Sequence, residues 1–288
     1  METDKILDKI IITGSNGMVG SYIDFGVKTD KRMLDVTDFE ETSKVIGKHK
    51  PSIVIHLAAE TDVDRCERDT AHAYSVNAIG AYNVAVAAKN VGAKMVYIST
   101  SAVFDGFGKE PYNENDKPDP QYFYGRSKYI GEALVKDISD NYIIARVCGV
   151  FGGGLKKDQK FVSKIINQIK QAGCKEIKVV NDTFVSPTFG KDLVEHLKYL
   201  IKKDEKGIFH LSNKGACSRY DMAVKIAEVL KSDIKITPVD SGYFNLSAKR
   251  GYNESMLSLR FNLARDWQSA LEEYLKEEWL PFLADNKK

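Results

Sequence analysis

Lys9-Ile10-Ile11-Ile12-Thr13-Gly14-Ser15-Asn16-Gly17-Met18-Val19-Gly20 is an apolar, β-branched run leading into three glycines at a spacing of three. The run reads as a buried strand, and the glycines as a tight turn that opens a helix N-terminus. Glycine at these places permits unusual dihedrals, lets a pyrophosphate approach the backbone and lets the helix pack closely on the sheet. Alone, the triplet is equally consistent with an ordinary strand-to-helix turn.

Downstream the same alternation repeats. Ile53-Val54-Ile55-His56-Leu57 is a short β-branched run, helical patterning follows from Ala71 to Lys89, and Met95-Val96-Tyr97-Ile98 is again strand-like. A helix carrying Tyr124 comes next, then a strand at Tyr142-Ile143-Ile144-Ala145. Strands alternating with helices specify a parallel sheet covered on both faces, here an α/β Rossmann-type doubly wound sheet, with ligands at the carboxyl ends of the strands. Those ends carry the glycine turn, then Leu57-Ala58-Ala59-Glu60-Thr61-Asp62, then Ser99-Thr100-Ser101. Small residues such as Ala58 and Ala59 let a flat cofactor lie against the backbone, or simply allow tight packing.

Regularity weakens after Phe151-Gly152-Gly153-Gly154, which divides the chain into a dinucleotide-binding domain, 1–150, and a smaller substrate-binding region, 151–288, part of which is expected to return to the core. A loop rich in Gly, Pro, Asn and Asp between Gly106 and Pro120 is placed to border a substrate. Asp266-Trp267-Gln268-Ser269-Ala270-Leu271-Glu272-Glu273-Tyr274-Leu275 reads as a capped amphipathic helix.

Composition narrows the function classes. Of 288 residues 43% are hydrophobic and 28% charged, and the formal net charge is +2, which gives no reason to invoke nucleic acid or an anionic membrane. No apolar run approaches the roughly 20 residues that span a bilayer. The charged start Met1-Glu2-Thr3-Asp4-Lys5 lacks a signal peptide's pattern, which leaves the cytoplasm as the expected location. Cys66, Cys148, Cys174 and Cys217 are scattered, and neither they nor the five histidines have metal-ligand spacing, so no metal is expected.

Tyr124-Gly125-Arg126-Ser127-Lys128 carries the chemistry. Tyrosine and lysine four apart on a helix project from one face, and an ammonium near a phenol favours the phenolate, lowering a pKa of about 10 toward the neutral range. A chain with 14 tyrosines contains such a pair by chance, but here it accompanies the glycine turn and Ser99-Thr100 in order.

In that order the residues resemble the extended short-chain dehydrogenases/reductases, with Thr13-Gly14-x-x-Gly17-x-x-Gly20, Ser99-Thr100, Tyr124-x-x-x-Lys128 and Asn77 in Val76-Asn77-Ala78. Within that superfamily the chain is similar to the dTDP-4-dehydrorhamnose reductases. Leu34-Asp35-Val36-Thr37-Asp38, Val103-Phe104-Asp105-Gly106 and Val180-Asn181-Asp182-Thr183-Phe184-Val185-Ser186-Pro187-Thr188 carry this likeness. The resemblance implies NAD(P)H-dependent reduction of a 4-keto-6-deoxy-sugar nucleotide. Tyr124 would protonate the carbonyl oxygen, Lys128 would tune Tyr124 and hold the nicotinamide ribose, and Thr100 would hydrogen-bond the reacting oxygen. Gly14, Asn16, Gly17, Met18, Val19, Leu57, Ala58, Ala59 and Asn77, with Tyr124 and Lys128, would line the cofactor. It also implies a homodimer formed through helices including the one bearing Tyr124.

At the adenosine end, Asp30 or Asp35 could bind a ribose hydroxyl of NADH, whereas Lys28, Lys31 and Arg32 suit the 2′-phosphate of NADPH, which is the expected cofactor. Two departures concern the sugar. Ser101-Ala102 stands where the reductases carry Asp-Tyr, and Gly149 stands where they carry tryptophan. The acids that dehydratases of this superfamily carry just after the threonine are also missing. An epimerase that returns its hydride and a non-catalytic dinucleotide-binding protein therefore remain as alternatives. Arg146 is read as a structural ion-pairing residue in preference to a phosphate ligand, and Asp182 and Pro187-Thr188 as either a substrate-closing segment or a turn.

Overall fold

The computed structural model describes residues 9–244, 248 and 251–285; Met1 to Lys5 lie outside them. Five strands come from the first half of the chain: β1 (Ile10–Thr13), β2 (Val27–Lys28), β3 (Ile53–His56), β4 (Lys94–Thr100) and β5 (Tyr142–Val147). The second half supplies β6 (Val150–Phe151), β7 (Glu176–Val180), β8 (Phe184–Val185), β9 (Thr188–Phe189), β10 (Gly207–His210), β11 (Cys217–Ser218) and β12 (Lys235–Val239). The main sheet is six-stranded and parallel in the order β10-β5-β4-β3-β1-β2. Its central strands β1 and β3 are buried along their whole length because both faces are covered, as parallel sheets require.

One face packs on Leu193, Val194, Leu197 and Leu200 of the Gly190–Lys202 helix, the other on Val84, Ala85 and Ala88 of the Gly80–Asn90 helix. A separate core gathers Val162, Ile166, Ile177, Met222, Ile226, Leu271 and Trp279 from the second half of the chain. Asp266 caps the Trp267–Tyr274 helix by accepting from Ser269 N at 2.8 Å, as the sequence led us to expect.

The strand order reverses between β1 and β3, so the loops after these strands face each other across the switch point. Gly14 there has φ +67°, and a Cβ on it would lie 2.5 Å from the Ala58 backbone nitrogen. A side chain is therefore excluded on two counts.

The helix expected after the glycine turn is reduced to one 3-10 turn, Val19–Tyr22, after which Ile23 is extended. Gly20 and Gly26 bracket a segment of Tyr22, Ile23 and Phe25, which has poor helix propensity. Tertiary contacts also hold it: the Tyr22 hydroxyl donates to Glu278 Oε1 and accepts from Gly153 N, both at 2.6 Å. An anion at this turn would meet loop N–H groups without the dipole of a long helix behind them.

Candidate functional site

Four pieces of backbone converge at the carboxyl ends of β1, β3 and β4 and the start of the Phe123–Ile138 helix. That helix has no capping side chain of its own; Glu67 Oε1 accepts from Phe123 N at 2.7 Å and serves its first turn instead. A Cβ at Gly125 would overlap the Ala102 carbonyl, so glycine lets the helix press onto the turn that follows Thr100. Close approach brings Tyr124 to Thr100. Thr100 Oγ1 accepts from Ala102 N at 3.2 Å, and its hydroxyl stands close enough to the Tyr124 phenol to favour the phenolate.

The electrostatics differ from the expected picture. Burial pushes the Tyr124 phenol up to about 12, against the opposing influence of the Thr100 hydroxyl, while Cys66, Glu254 and Cys148 add to the rise. Lys128 is not among the main influences on Tyr124. Lys128 is itself 2% exposed, and burial lowers it to about 7 despite the opposing charge of Glu132. Its Nζ lies 4.1 Å above the Tyr97 ring, an arrangement in which the ring's negative face replaces part of the lost hydration. Burial thus weakens this lysine's hold on its proton near neutral pH.

A second layer holds the lysine's surroundings. Tyr97 stacks on His56 at 5.8 Å, and its hydroxyl donates to the Asn77 carbonyl at 3.2 Å and the Lys128 carbonyl at 3.3 Å. His56 Nδ1 is hydrogen-bonded to Thr13 Oγ1 at 2.7 Å; burial, and secondarily Lys128, lower it to about 3, so it is neutral. Asn77 sits in a π-helical segment, Ser75–Ile79, between the Thr70–Tyr74 and Gly80–Asn90 helices, a widening common at functional sites. Its amide bonds Ser127 Oγ at 3.0 Å and both backbone groups of Glu60, tying the Lys128 helix to the loop after β3. Sequence reading named Asn77; it missed Tyr97 and His56, which look like ordinary strand residues.

At the cofactor end, a cleft of about 270 Å³ is lined by Ser15, Asn16, Gly20, Ser21, Lys28, Asp30, Met33 and Lys157. Asn16 Nδ2 donates to Asp30 Oδ2 at 2.6 Å, and Asp30 Oδ1 accepts from the backbone of Arg32 and Met33. Asp35 does not line this cleft. Its burial would raise it, but hydrogen bonds from Thr37 and the neighbouring Lys31 prevail and hold it below the usual carboxylate range. Met18 and Val19 are half-buried beside the turn, and Leu57, Ala58 and Ala59 form the opposing lip, with Ala58 N donating to Thr13 Oγ1 at 3.4 Å. Arg32 is exposed on the rim. A glycine turn that excludes Cβ atoms, a narrow cleft and two lysines in it fit the phosphates of a dinucleotide.

Arg146 takes the structural role: 2% exposed, it grips Glu132 of the Tyr124 helix through Nε at 2.9 Å and Nη2 at 2.7 Å. Asp182 accepts from Ser241 N and Oγ at the surface and ties the bend after β7 to the segment after β12. Thr188 is buried, donating to the Cys148 carbonyl at 2.8 Å. Around Gly149, where an aromatic was expected, an added Cβ would be in van der Waals contact with Pro187, Val185 and Arg219 at 3.8 to 3.9 Å, and the φ of +52° favours glycine.

Comparison with known proteins agrees with this geometry. The family described as RmlD substrate binding domain matches residues 8–279. A spore coat polysaccharide biosynthesis protein of Bacillus subtilis is 35% identical over 287 residues, covering 94% of this chain and 98% of its own. A dTDP-4-dehydrorhamnose reductase of Mycobacterium tuberculosis is 34% identical, covering 92% and 91%. The structure of dTDP-4-dehydrorhamnose reductase from Bacillus anthracis in complex with NADP superposes with a TM-score of 0.89 at 36% identity, covering 94% and 99%. A UDP-glucose 4-epimerase from Thermus thermophilus, 17% identical with a TM-score of 0.77, shares the fold. The chain belongs to the RmlD substrate-binding-domain family, within the extended short-chain dehydrogenases/reductases.

Proposed function

We propose that this protein reduces the C4 ketone of a 4-keto-6-deoxy-sugar nucleotide, with dTDP-4-dehydrorhamnose as the substrate that its relatives' names support. The observation that carries the reading is the Tyr124 phenol beside the Thr100 hydroxyl at the strand ends, one helical turn from the buried Lys128. A bound reduced nicotinamide supplies the hydride. Tyr124 gives its phenolic proton to the ketone oxygen as the C4 carbon becomes tetrahedral, and Thr100 holds that oxygen in place. Lys128, in its charged form, stabilises the phenolate left behind and binds the nicotinamide ribose; Tyr124 then recovers its proton from solvent.

NADPH is the proposed cofactor, supported by the NADP complex of the B. anthracis relative, by Lys28 in the cleft and by the exposed Lys31 and Arg32 that follow Asp30 in sequence. Residues 1–150 form the dinucleotide-binding domain and 151–288 the sugar-nucleotide region in this reading. A homodimer is supported by Ile79, Tyr82 and Ile130, large apolar side chains left exposed on the helices flanking the site. No helix among the described residues is long and apolar enough to cross a membrane, and we place the reaction in the cytoplasm.

The test uses dTDP-4-dehydro-L-rhamnose and NADPH deuterated at the transferable position. One deuterium at sugar C4 for each NADP formed is expected. Sugar inversion with no net NADPH consumption would replace this reading with the epimerase.

A further inference from the structure

The acid missing after Thr100 is supplied from elsewhere in the fold. Glu254 lies 153 positions from Ser101 in sequence, yet its Oε2 accepts from Ser101 Oγ at 3.5 Å and its Oε1 from the Tyr122 hydroxyl at 2.7 Å. Ser101 follows Thr100, and Tyr122 precedes the Tyr124 helix, so the carboxylate touches the immediate neighbours of both reacting hydroxyls. Its charge is felt by the Tyr124 phenol and by the Cys148 thiol.

The backbone around Glu254 is fixed on two sides. Glu254 N donates to Phe184 O at 2.8 Å, and its carbonyl accepts from Cys148 Sγ at 3.2 Å. Asn253 Nδ2 donates to the Gly108 and Glu110 carbonyls, while Tyr112 pairs with Ser255 and Leu257 through backbone hydrogen bonds of 2.9 Å. The 104–120 loop and the 184–186 segment thus clamp this stretch against the site. The carboxylate itself remains partly exposed. A carboxylate offers about four acceptor positions, and the two hydroxyls leave capacity for more.

Resting on the ketone-reductase reading, we propose that Glu254 contacts the sugar ring, accepting a hydrogen bond from a ring hydroxyl and thereby determining specificity for neutral, hydroxyl-bearing sugars. An anionic sugar, such as one with a carboxylate at C6, would meet like-charge repulsion in a site of low dielectric. Glu254 would do the work of the acid that the β4 end lacks, from the opposite side of the pocket.

The test compares wild type with E254A and E254Q in two measurements: binding of dTDP and of dTDP-L-rhamnose by calorimetry, and the kinetics of NADPH oxidation with dTDP-4-dehydro-L-rhamnose. A sugar contact predicts that wild type binds dTDP-L-rhamnose at least tenfold tighter than dTDP, that E254A loses most of this preference, and that dTDP and NADPH affinities stay within about twofold. KM should rise about tenfold in E254A with kcat changed less, and E254Q should fall between. An unchanged preference in E254A overturns the proposal. So does a parallel loss of dTDP and NADPH affinity, which would make Glu254 a structural staple of the 104–120 loop. If wild type fails to oxidise NADPH, the substrate reading falls while the binding comparison still decides the role of Glu254.

Discussion

Arg146 and Lys128 are both 2% exposed, and both cations lie over an aromatic ring, Arg146 at 5.1 Å from Phe104 and Lys128 at 4.1 Å from Tyr97. They are held in opposite ways. Arg146 meets fully buried Glu132 with two hydrogen bonds, and Glu132 also accepts from Ser99 at 2.5 Å. Lys128 pairs with no carboxylate among the described residues; a ring, a neutral histidine and a carboxylate one turn away surround it. A paired buried charge has its desolvation offset within the protein and marks architecture. A buried cation without such a partner holds its charge at a cost, and that cost is recovered only when a negative charge or hydrogen-bond acceptor forms or binds beside it. The Tyr124 phenolate and the cofactor's ribose are what the site offers for that purpose.

The contrast can be broken first through activity. Lys128→Met should keep its fold and lose turnover by about two to four orders of magnitude, as removal of a group supporting proton transfer does; near-normal kcat would make Lys128 a second architectural cation. Arg146→Met should instead act on stability. It strands Glu132 in the interior and is expected to cost about 3–5 kcal/mol in denaturant unfolding, with most of that recovered in Arg146→Met/Glu132→Leu. A double variant no more stable than the single one would show that the pair's packing outweighs its charge.

Stability against pH sharpens the same comparison. With Lys128 lowered from 10.5 to about 7 in the folded protein, the unfolded chain binds more protons between these values. The burial cost is thus full below pH 7 and fades as pH rises toward 10.5. Lys128→Met should be more stable than wild type by on the order of a few kcal/mol at pH 6, with the gap closing by pH 10. Parallel stability curves would contradict the lowered lysine. The smallest effect is kinetic: because the charged form is the active one, kcat/KM should decline above a pKa near 7, and Lys128→Arg, charged throughout, should move that limb upward.

The convergence of the Gly14 turn, the ends of β3 and β4 and the Tyr124 helix was legible because its signals are local. The turn at Gly14, the lip at Leu57-Ala58-Ala59, Thr100, and the Tyr124 and Lys128 pair each follow a strand or share a helix turn, so periodicity alone places them together. Asp35 was read as a ribose ligand from its distance along the chain; in the structure Thr37, two residues away, donates to it locally. The abbreviated helix after Gly20 was hidden for a different reason: Tyr22 is drawn to Gly153 and Glu278, more than a hundred residues away. Glu254 could not be read at all. Nothing in Tyr252-Asn253-Glu254-Ser255 announces a site, and only the clamp by Phe184, Tyr112 and Cys148 brings it to Ser101.

The most direct test of the account is a single-turnover reaction of the protein with NADPH and dTDP-4-dehydro-L-rhamnose, comparing wild type with Tyr124→Phe. The account predicts that NADPH binds both proteins with similar affinity and that hydride transfer in the variant is slower by about two to four orders of magnitude. Hydride transfer at the wild-type rate in Tyr124→Phe would contradict the assignment of Tyr124 as the proton donor and, with it, the reading of the site built around Thr100, Tyr124 and Lys128.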